Sequence, residues 1–133
     1  MKKDYQKGMI AGAIAGVVSG IICAILGSIS LLMGFFEYVE LPIGNFFANT
    51  IILTIIFGVI FGLIYAQFYS SIPNTGLMKG LYFGFIIWLI KDIAAGAYSA
   101  FVIGQIVVAV YIIVAGVYMW PIYGLVLEYF YKK

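Results

Sequence analysis

Two adjacent charged residues, Lys91 and Asp92, stand inside an otherwise apolar stretch and are the residues best suited to chemistry. Lys91 follows Lys79 by twelve residues, which in an α-helix places it about 18 Å deeper. Because the hydrocarbon core of a bilayer is roughly 30 Å thick, a helix that enters at Lys79 carries both charges past its middle. A charge at that depth costs about 2.5–3.5 kcal/mol, so such residues usually face a protein interior or a cavity.

Helical geometry predicts that these two side chains point in different directions. Lys91 falls on the face of Gly80 and Gly84, whereas Asp92 lies about 100° away, beside Trp88. Adjacent residues of a helix do not face each other, so no clean Lys91–Asp92 ion pair is predicted. Each charge then needs another partner; the candidates are water, Ser19, Tyr65, Gln105, Glu37 and Glu40.

Two interpretations of the charges remain open. In one, Lys91 extends along the helix to the outer surface while Asp92 pairs loosely. In the other, Lys91, Asp92, Gln105 and Ser19 form an intramembrane polar site for an ion, a proton or a substrate.

The remaining charged residues predict less chemistry. Glu37 and Glu40 favour a solvated acidic rim over a cation site, because two ligands without a third hold a metal weakly. Glu128 and Lys132 are spaced as an ordinary i, i+4 pair. The chain has no histidine and one cysteine, Cys23, so we expect no metal, no cofactor and no enzymatic activity. The absence of a basic patch argues against nucleic-acid binding.

The elements that position these residues follow from composition. Of the 133 residues, 65% are hydrophobic and only 9% are charged, which is too few to coat a water-facing surface. Charge-free runs long enough to cross a bilayer predict an all-α, polytopic integral membrane protein, a four-helix bundle in one domain over residues 1–133. The predicted helices lie near residues 8–36, 42–70, 77–98 and 102–131, with the least marked division between the last two.

The lysines predict the orientation of the bundle. With four membrane-crossing helices, both lysine-bearing tails and the connection that holds Lys79 fall on one side, while Glu37 and Glu40 fall on the other. Positively charged loops face the cytoplasm, so both termini are predicted there and the protein is placed in the cytoplasmic membrane.

Glycine spacing predicts where the helices touch, because close packing of small residues drives helix association in lipid. Regularly spaced glycines mark one face of helix 1 and parts of helices 2 and 3: Gly8, Gly12, Gly16, Gly20, Gly58, Gly62, Gly80 and Gly84. We interpret these faces mainly as packing within the chain. The alternative is an interface with a second copy or with another membrane protein.

Two segment pairs indicate an internal repeat. The Lys-Gly-x3-Gly pattern opens helix 1 at Lys7 and helix 3 at Lys79, and Gly62 and Gly124 begin similar stretches near the ends of helices 2 and 4. Two helical hairpins in the same orientation would produce this pattern. Chance similarity between low-complexity membrane sequences is the alternative.

The order of these motifs resembles the YagU-like group of small, uncharacterised bacterial inner-membrane proteins. The resemblance rests on the segments 12–19 and 79–84, on Gly104-Gln105-Ile106-Val107 and on the basic aromatic tail. It implies a four-helix membrane protein and no particular activity. That group tends to carry histidines near the outer ends of its last two helices, where this sequence has Asp92 and Gln105 instead.

Two functions are therefore expected. The first is a small transporter or channel for an ion or small solute, lined by Lys91 and Asp92. The second is a non-transporting membrane subunit or scaffold that packs against a partner through its glycine-rich helix faces.

Overall fold

The computed structural model describes residues 4–32 and 43–132, and side chains over residues 4–29 and 47–132. Within these ranges the chain is helical, without strands, and has four helical segments long and apolar enough to cross a membrane. The predicted all-α class and the four helices are confirmed. Glu37 and Glu40, and with them the predicted acidic rim, lie outside the described residues.

The four segments are made of the following helices, in chain order. Helix α1 spans Tyr5–Leu32, and α2 spans Ile43–Phe68 before a 3-10 turn at Tyr69–Ser71. The third segment comprises α3 (Leu77–Ile87), a π turn (Trp88–Asp92), α4 (Ile93–Tyr98) and a second π turn (Ser99–Ile103). Helix α5 spans Ile106–Lys132.

The third segment is longer than the sequence predicted, ending at Ile103 and not near residue 98. Its end coincides with Gly104, whose φ of 79° is a left-handed conformation that glycine adopts without a steric penalty. The Gln105 N–H donates to the Ser99 carbonyl oxygen at 2.9 Å and closes the turn. No charge or proline marks this turn, which is why the sequence located it poorly.

Helices α1 and α2 form the first helix pair and touch backbone to backbone. A methyl group added to Gly8 would lie 2.6 Å from the Gly62 carbonyl oxygen, and one on Gly16 would lie 2.5 Å from the Thr54 carbonyl oxygen. Gly12 and Gly58 fill the space between these contacts. Only glycine allows this approach, because a Cβ would overlap the opposite backbone.

The third segment and α5 form the second helix pair, which has a similar line of close glycine contacts. We call this line of contacts the seam of each pair. Gly80 faces the Gly124 carbonyl, and Gly84 faces the carbonyl of Trp120. All eight glycines singled out from the sequence thus face another helix of the same chain.

Between the two pairs α1 packs closely on α5, and side chains of α2 and α5 make reciprocal contacts. The Tyr123 hydroxyl donates to the Gly58 carbonyl oxygen at 2.7 Å, while the Phe61 and Trp120 rings meet edge to face at 5.5 Å. Ala11 and Ala15 of α1 are buried in the same core cluster as Tyr123 and Leu127 of α5.

One end of the bundle gathers the termini and most of the described lysines. The Tyr5 hydroxyl bonds Gln67, and the Tyr69 and Tyr131 rings lie 4.8 Å apart. Lys79 donates to the Tyr69 carbonyl at this end. We call this the lysine end; Lys7, Lys79 and Lys132 belong to it.

Candidate functional site

Lys91 and Asp92 both lie in the π turn at Trp88–Asp92, and Asp92 is the one whose side chain is buried in the bundle. The residues of α3 that face α5 include Gly80, Gly84 and Ile87, and a regular helix would place Lys91 next on that face. In the structure the buried charged residue is instead Asp92, which is 3% exposed. The prediction that Lys91 occupies the packing face is therefore wrong by one residue.

Asp92 is held by two donors and lies against a glycine. Its Oδ2 accepts a hydrogen bond from Trp120 Nε1 at 2.8 Å, and its Oδ1 lies 3.3 Å from Lys91 Nζ. The Oδ2 atom also occupies the space that a side chain on Gly116 would need. A carboxylate here is satisfied on both oxygens, as a buried charge requires.

Lys91 and Asp92 thus form the ion pair that the sequence did not predict. Adjacent residues of a regular helix point about 100° apart, and the π turn reduces this angle. The long lysine stem also reaches far enough to bring its ammonium group to the carboxylate. The Lys91 side chain remains 34% exposed. Its Nζ lies 5.3 Å from the Phe57 ring centroid and 5.1 Å from the Trp120 ring centroid, so two aromatic faces also stabilise the cation.

The other residues predicted for this site lie elsewhere. Ser19 is buried on α1, where its hydroxyl donates to the Ala15 carbonyl oxygen at 2.8 Å. Gln105 is exposed in the turn before α5. Tyr65 donates to Glu128 and not to Asp92. The structure therefore brings together Lys91, Asp92 and Trp120, and no sequence pattern had marked Trp120 as part of the site.

A second acid, Glu128, is buried and has more partners than the i, i+4 pair with Lys132 that its spacing predicts. It is 1% exposed, and it accepts hydrogen bonds from the hydroxyls of Tyr65 and of Tyr69, the latter at 3.1 Å. Lys132 Nζ lies 3.6 Å from its Oε1, so the predicted i, i+4 pair is present. The i, i+4 spacing of Tyr65 and Tyr69 was the available signal, since it places two hydroxyls on one face of α2.

The first helix pair shows how the same position is filled without charge. When the two pairs are aligned through Gly8 with Gly80 and Gly62 with Gly124, Gly20 corresponds to Asp92 and Thr54 to Gly116. Gly20 touches the Thr54 hydroxyl, as Asp92 touches Gly116. In the same alignment Ser19 corresponds to Lys91, and it turns its hydroxyl back to its own helix.

The site offers one carboxylate, one ammonium and one indole N–H, a set that can exchange a proton or a cation. In the part of the chain that the structure describes, no three His, Cys, Asp or Glu side chains come together as metal ligands would. Two open clefts occur near the second helix pair, and neither is lined by Lys91 or Asp92.

No family model, curated protein or solved structure matches this chain. The resemblance to the YagU-like group therefore stays a prediction.

Proposed function

We propose that this chain is a multi-pass membrane protein that carries a proton or a small cation across the membrane at Asp92. Membrane insertion is supported by the four apolar helices and by their outer surfaces, where side chains such as Ile52, Ile90 and Val114 are 56%, 70% and 56% exposed. Water would not tolerate so continuous an apolar surface, whereas lipid covers it without cost.

The proposed orientation places the lysine end in the cytoplasm. Lys7, Lys79 and Lys132 lie at that end, and the positive-inside rule assigns it to the cytoplasmic side. The turn that holds Gln105 then lies on the outer side. In this orientation the reciprocal contacts between the pairs support an internal repeat about an axis along the membrane normal.

Single-cysteine labelling tests the orientation. In a Cys23→Ser background expressed in bacterial cells, a membrane-impermeant maleimide should label Gln105→Cys in intact cells. It should label Lys132→Cys only after the cells are opened. Labelling of Lys132→Cys in intact cells would contradict the orientation.

The observation that carries the transport proposal is the contrast between the two helix pairs at the Asp92 position. The first pair closes the same seam with Gly20 and Thr54, so packing does not require a charge there. A costly buried carboxylate at a position that the first pair fills without charge is typical of proton and ion pathways in membranes. The neighbouring π turn adds weight, because such turns occur frequently at functional sites.

Lys91 supplies the means of exchange in this proposal. While it pairs with Asp92, the site is neutral overall and closed. A proton or small cation that reaches Asp92 replaces the lysine as its counter-charge. The ammonium group, already one-third exposed on a flexible stem, can then move away from Asp92.

Proteoliposomes provide the test. Purified protein is reconstituted with a trapped pH-sensitive dye, and a potassium diffusion potential is imposed with valinomycin. We expect proton flux above that of protein-free vesicles, lost in Asp92→Asn and retained in the matched control Asp4→Asn at the lysine end. Parallel runs replace the proton readout with sodium uptake. Absence of flux for both ions, or full flux in a folded Asp92→Asn variant, would contradict transport at Asp92.

The second candidate, a non-transporting membrane subunit, is favoured by one observation: neither cleft reaches Lys91 or Asp92. Packing through the glycine faces is not the supporting contact, since α1, α2, α3 and α5 already occupy those faces. This candidate predicts wild-type flux equal to that of protein-free vesicles, together with co-purification of a stoichiometric partner from native membranes.

A further inference from the structure

A cleft of about 430 Å³ opens at the lysine end, away from Asp92. It is lined by Tyr69, Thr75, Lys79, Tyr131 and Lys132. Two ammonium groups and three hydroxyl-bearing side chains therefore surround one space. Such a lining suits an anion whose several oxygens can accept hydrogen bonds.

Lys79 is held in position at this cleft. Its Nζ donates to the Tyr69 carbonyl oxygen at 2.7 Å and lies 4.0 Å from the centroid of the Tyr69 ring. Because an ammonium group has three N–H donors, the carbonyl bond leaves two for a ligand. A fixed lysine loses less conformational entropy on binding than a free one, which favours a specific site.

The carboxylate nearest the cleft does not fill it. Glu128 is 1% exposed and is engaged by the hydroxyls of Tyr65 and Tyr69. Lys132 lies 3.6 Å from that carboxylate, but its side chain is 54% exposed. The cleft therefore presents two cations, and its neighbouring anions are the shielded Glu128 and Asp4, which lies beside Tyr131.

We infer that this cleft binds the phosphate group of an anionic phospholipid. In the proposed orientation it lies at the cytoplasmic interface, the depth at which lipid phosphates occur, and basic pockets between helices there recognise anionic headgroups. The inference rests on the proposed membrane insertion but not on transport. Free phosphate has the same chemistry and is separated from lipid by the experiment.

Native mass spectrometry of the detergent-purified protein tests the site, with phosphatidylglycerol, phosphatidylcholine and inorganic phosphate as separate probes. Phosphatidylglycerol should bind at least fivefold more tightly than phosphatidylcholine. Since each lysine near the surface contributes roughly 1 kcal/mol, Lys79→Gln and Lys132→Gln should each weaken phosphatidylglycerol binding about fivefold. Lys7→Gln is the matched control; it changes the corresponding lysine of the first helix pair, outside the cleft, and should leave binding unchanged.

Three outcomes would overturn the inference. These are equal binding of the two lipids, equal losses in the Lys7→Gln and Lys79→Gln variants, or binding of inorganic phosphate without a preference for phosphatidylglycerol. The last would assign the cleft to free phosphate. If Lys79→Gln did not fold, the exposed Lys132→Gln would carry the comparison alone. Because the readout is lipid retention, its failure is distinct from a failure of proton or sodium flux.

Discussion

The two helix pairs share a seam but differ at its centre. In the first pair, Gly16 and Gly20 lie against Thr54, and in the second pair Trp88 and Asp92 lie against Gly116. The glycine of this contact stands on the first helix of the first pair and on the second helix of the second pair. The space beside Gly116 is filled by the Asp92 carboxylate, which is bonded to two donors. The second pair therefore fills this position with a buried charge, and removing that charge from water costs free energy.

A similar contrast recurs at the lysine end. Gly8 of the first pair touches the methyl group of Ala66, and Gly80 of the second pair touches Cβ of Glu128. Again the second pair carries an acid where the first carries a small apolar group. Both buried acids thus belong to the second pair, and both are partnered by aromatic donors. Among the described residues, the buried charge is therefore concentrated on the second pair.

The largest expected effect is on the seams, which the two pairs share. Gly12→Leu and Gly84→Leu should each prevent formation of the bundle, because the new side chain would overlap a backbone carbonyl of the opposite helix. The cost should exceed the roughly 1–3 kcal/mol typical of overpacking. Size-exclusion profiles and helical circular dichroism in mild detergent measure the loss. Ala97→Leu on the exposed face is the control; native behaviour of both glycine variants would show that the seams are not close-packed.

Asp92→Ala should be the next most damaging change. It leaves Lys91 without its carboxylate and the buried Trp120 N–H without an acceptor. Breaking a buried ion pair costs about 3–5 kcal/mol, which we reduce to about 2 kcal/mol because Lys91 is one-third exposed. Unfolding in increasing dodecyl sulfate measures the difference. The corresponding change in the first pair, Gly20→Ala, tests the contrast by steric overlap with Thr54 and not by loss of charge.

Glu128→Ala should destabilise the protein by about 1–2 kcal/mol. It removes the acceptor of the Tyr65 and Tyr69 hydroxyls, and a buried donor without a partner costs about 1–3 kcal/mol. Glu128→Gln keeps an acceptor oxygen and should cost less than about 1 kcal/mol. The same unfolding assay compares the two. Equal stability of Glu128→Ala and wild type would show that the Glu128 carboxylate does not stabilise the fold.

The smallest effect on stability, with the clearest effect on function, is expected when the second pair is given the residues of the first. The variant Lys91→Ser, Asp92→Gly, Gly116→Thr removes both charges together and restores the Gly–Thr contact. Replacing a whole buried ion pair is often neutral, and the threonine introduced at position 116 places a hydroxyl in the space of Asp92 Oδ2, the acceptor of the Trp120 N–H. The variant should therefore lie within about 1 kcal/mol of wild type and above Asp92→Ala. Its proton flux should vanish. A folded variant with full flux would place the pathway elsewhere.

Part of this architecture was predictable because it depends on composition and on local spacing. Charge-free runs required four apolar helices, and glycines four residues apart required a close-packed face. The end of the third segment at Gly104 was placed poorly, because neither charge nor proline accompanies the glycine. The π turns were not predicted either, because no residue pattern in the sequence marks them.

Composition and charge placement were enough to predict the helical class, the lysine-rich end and the presence of an acid and a base halfway along the third segment. The partners of those two charges, in contrast, depend on contacts between helices. Packing against α5 brings Asp92, not Lys91, against Gly116 and the Trp120 indole, while the lysine reaches back to form the ion pair. The helical class was predictable because the composition of a helix reflects the solvent that surrounds it. The direction of each side chain, in contrast, depends on the backbone register that packing with other helices selects.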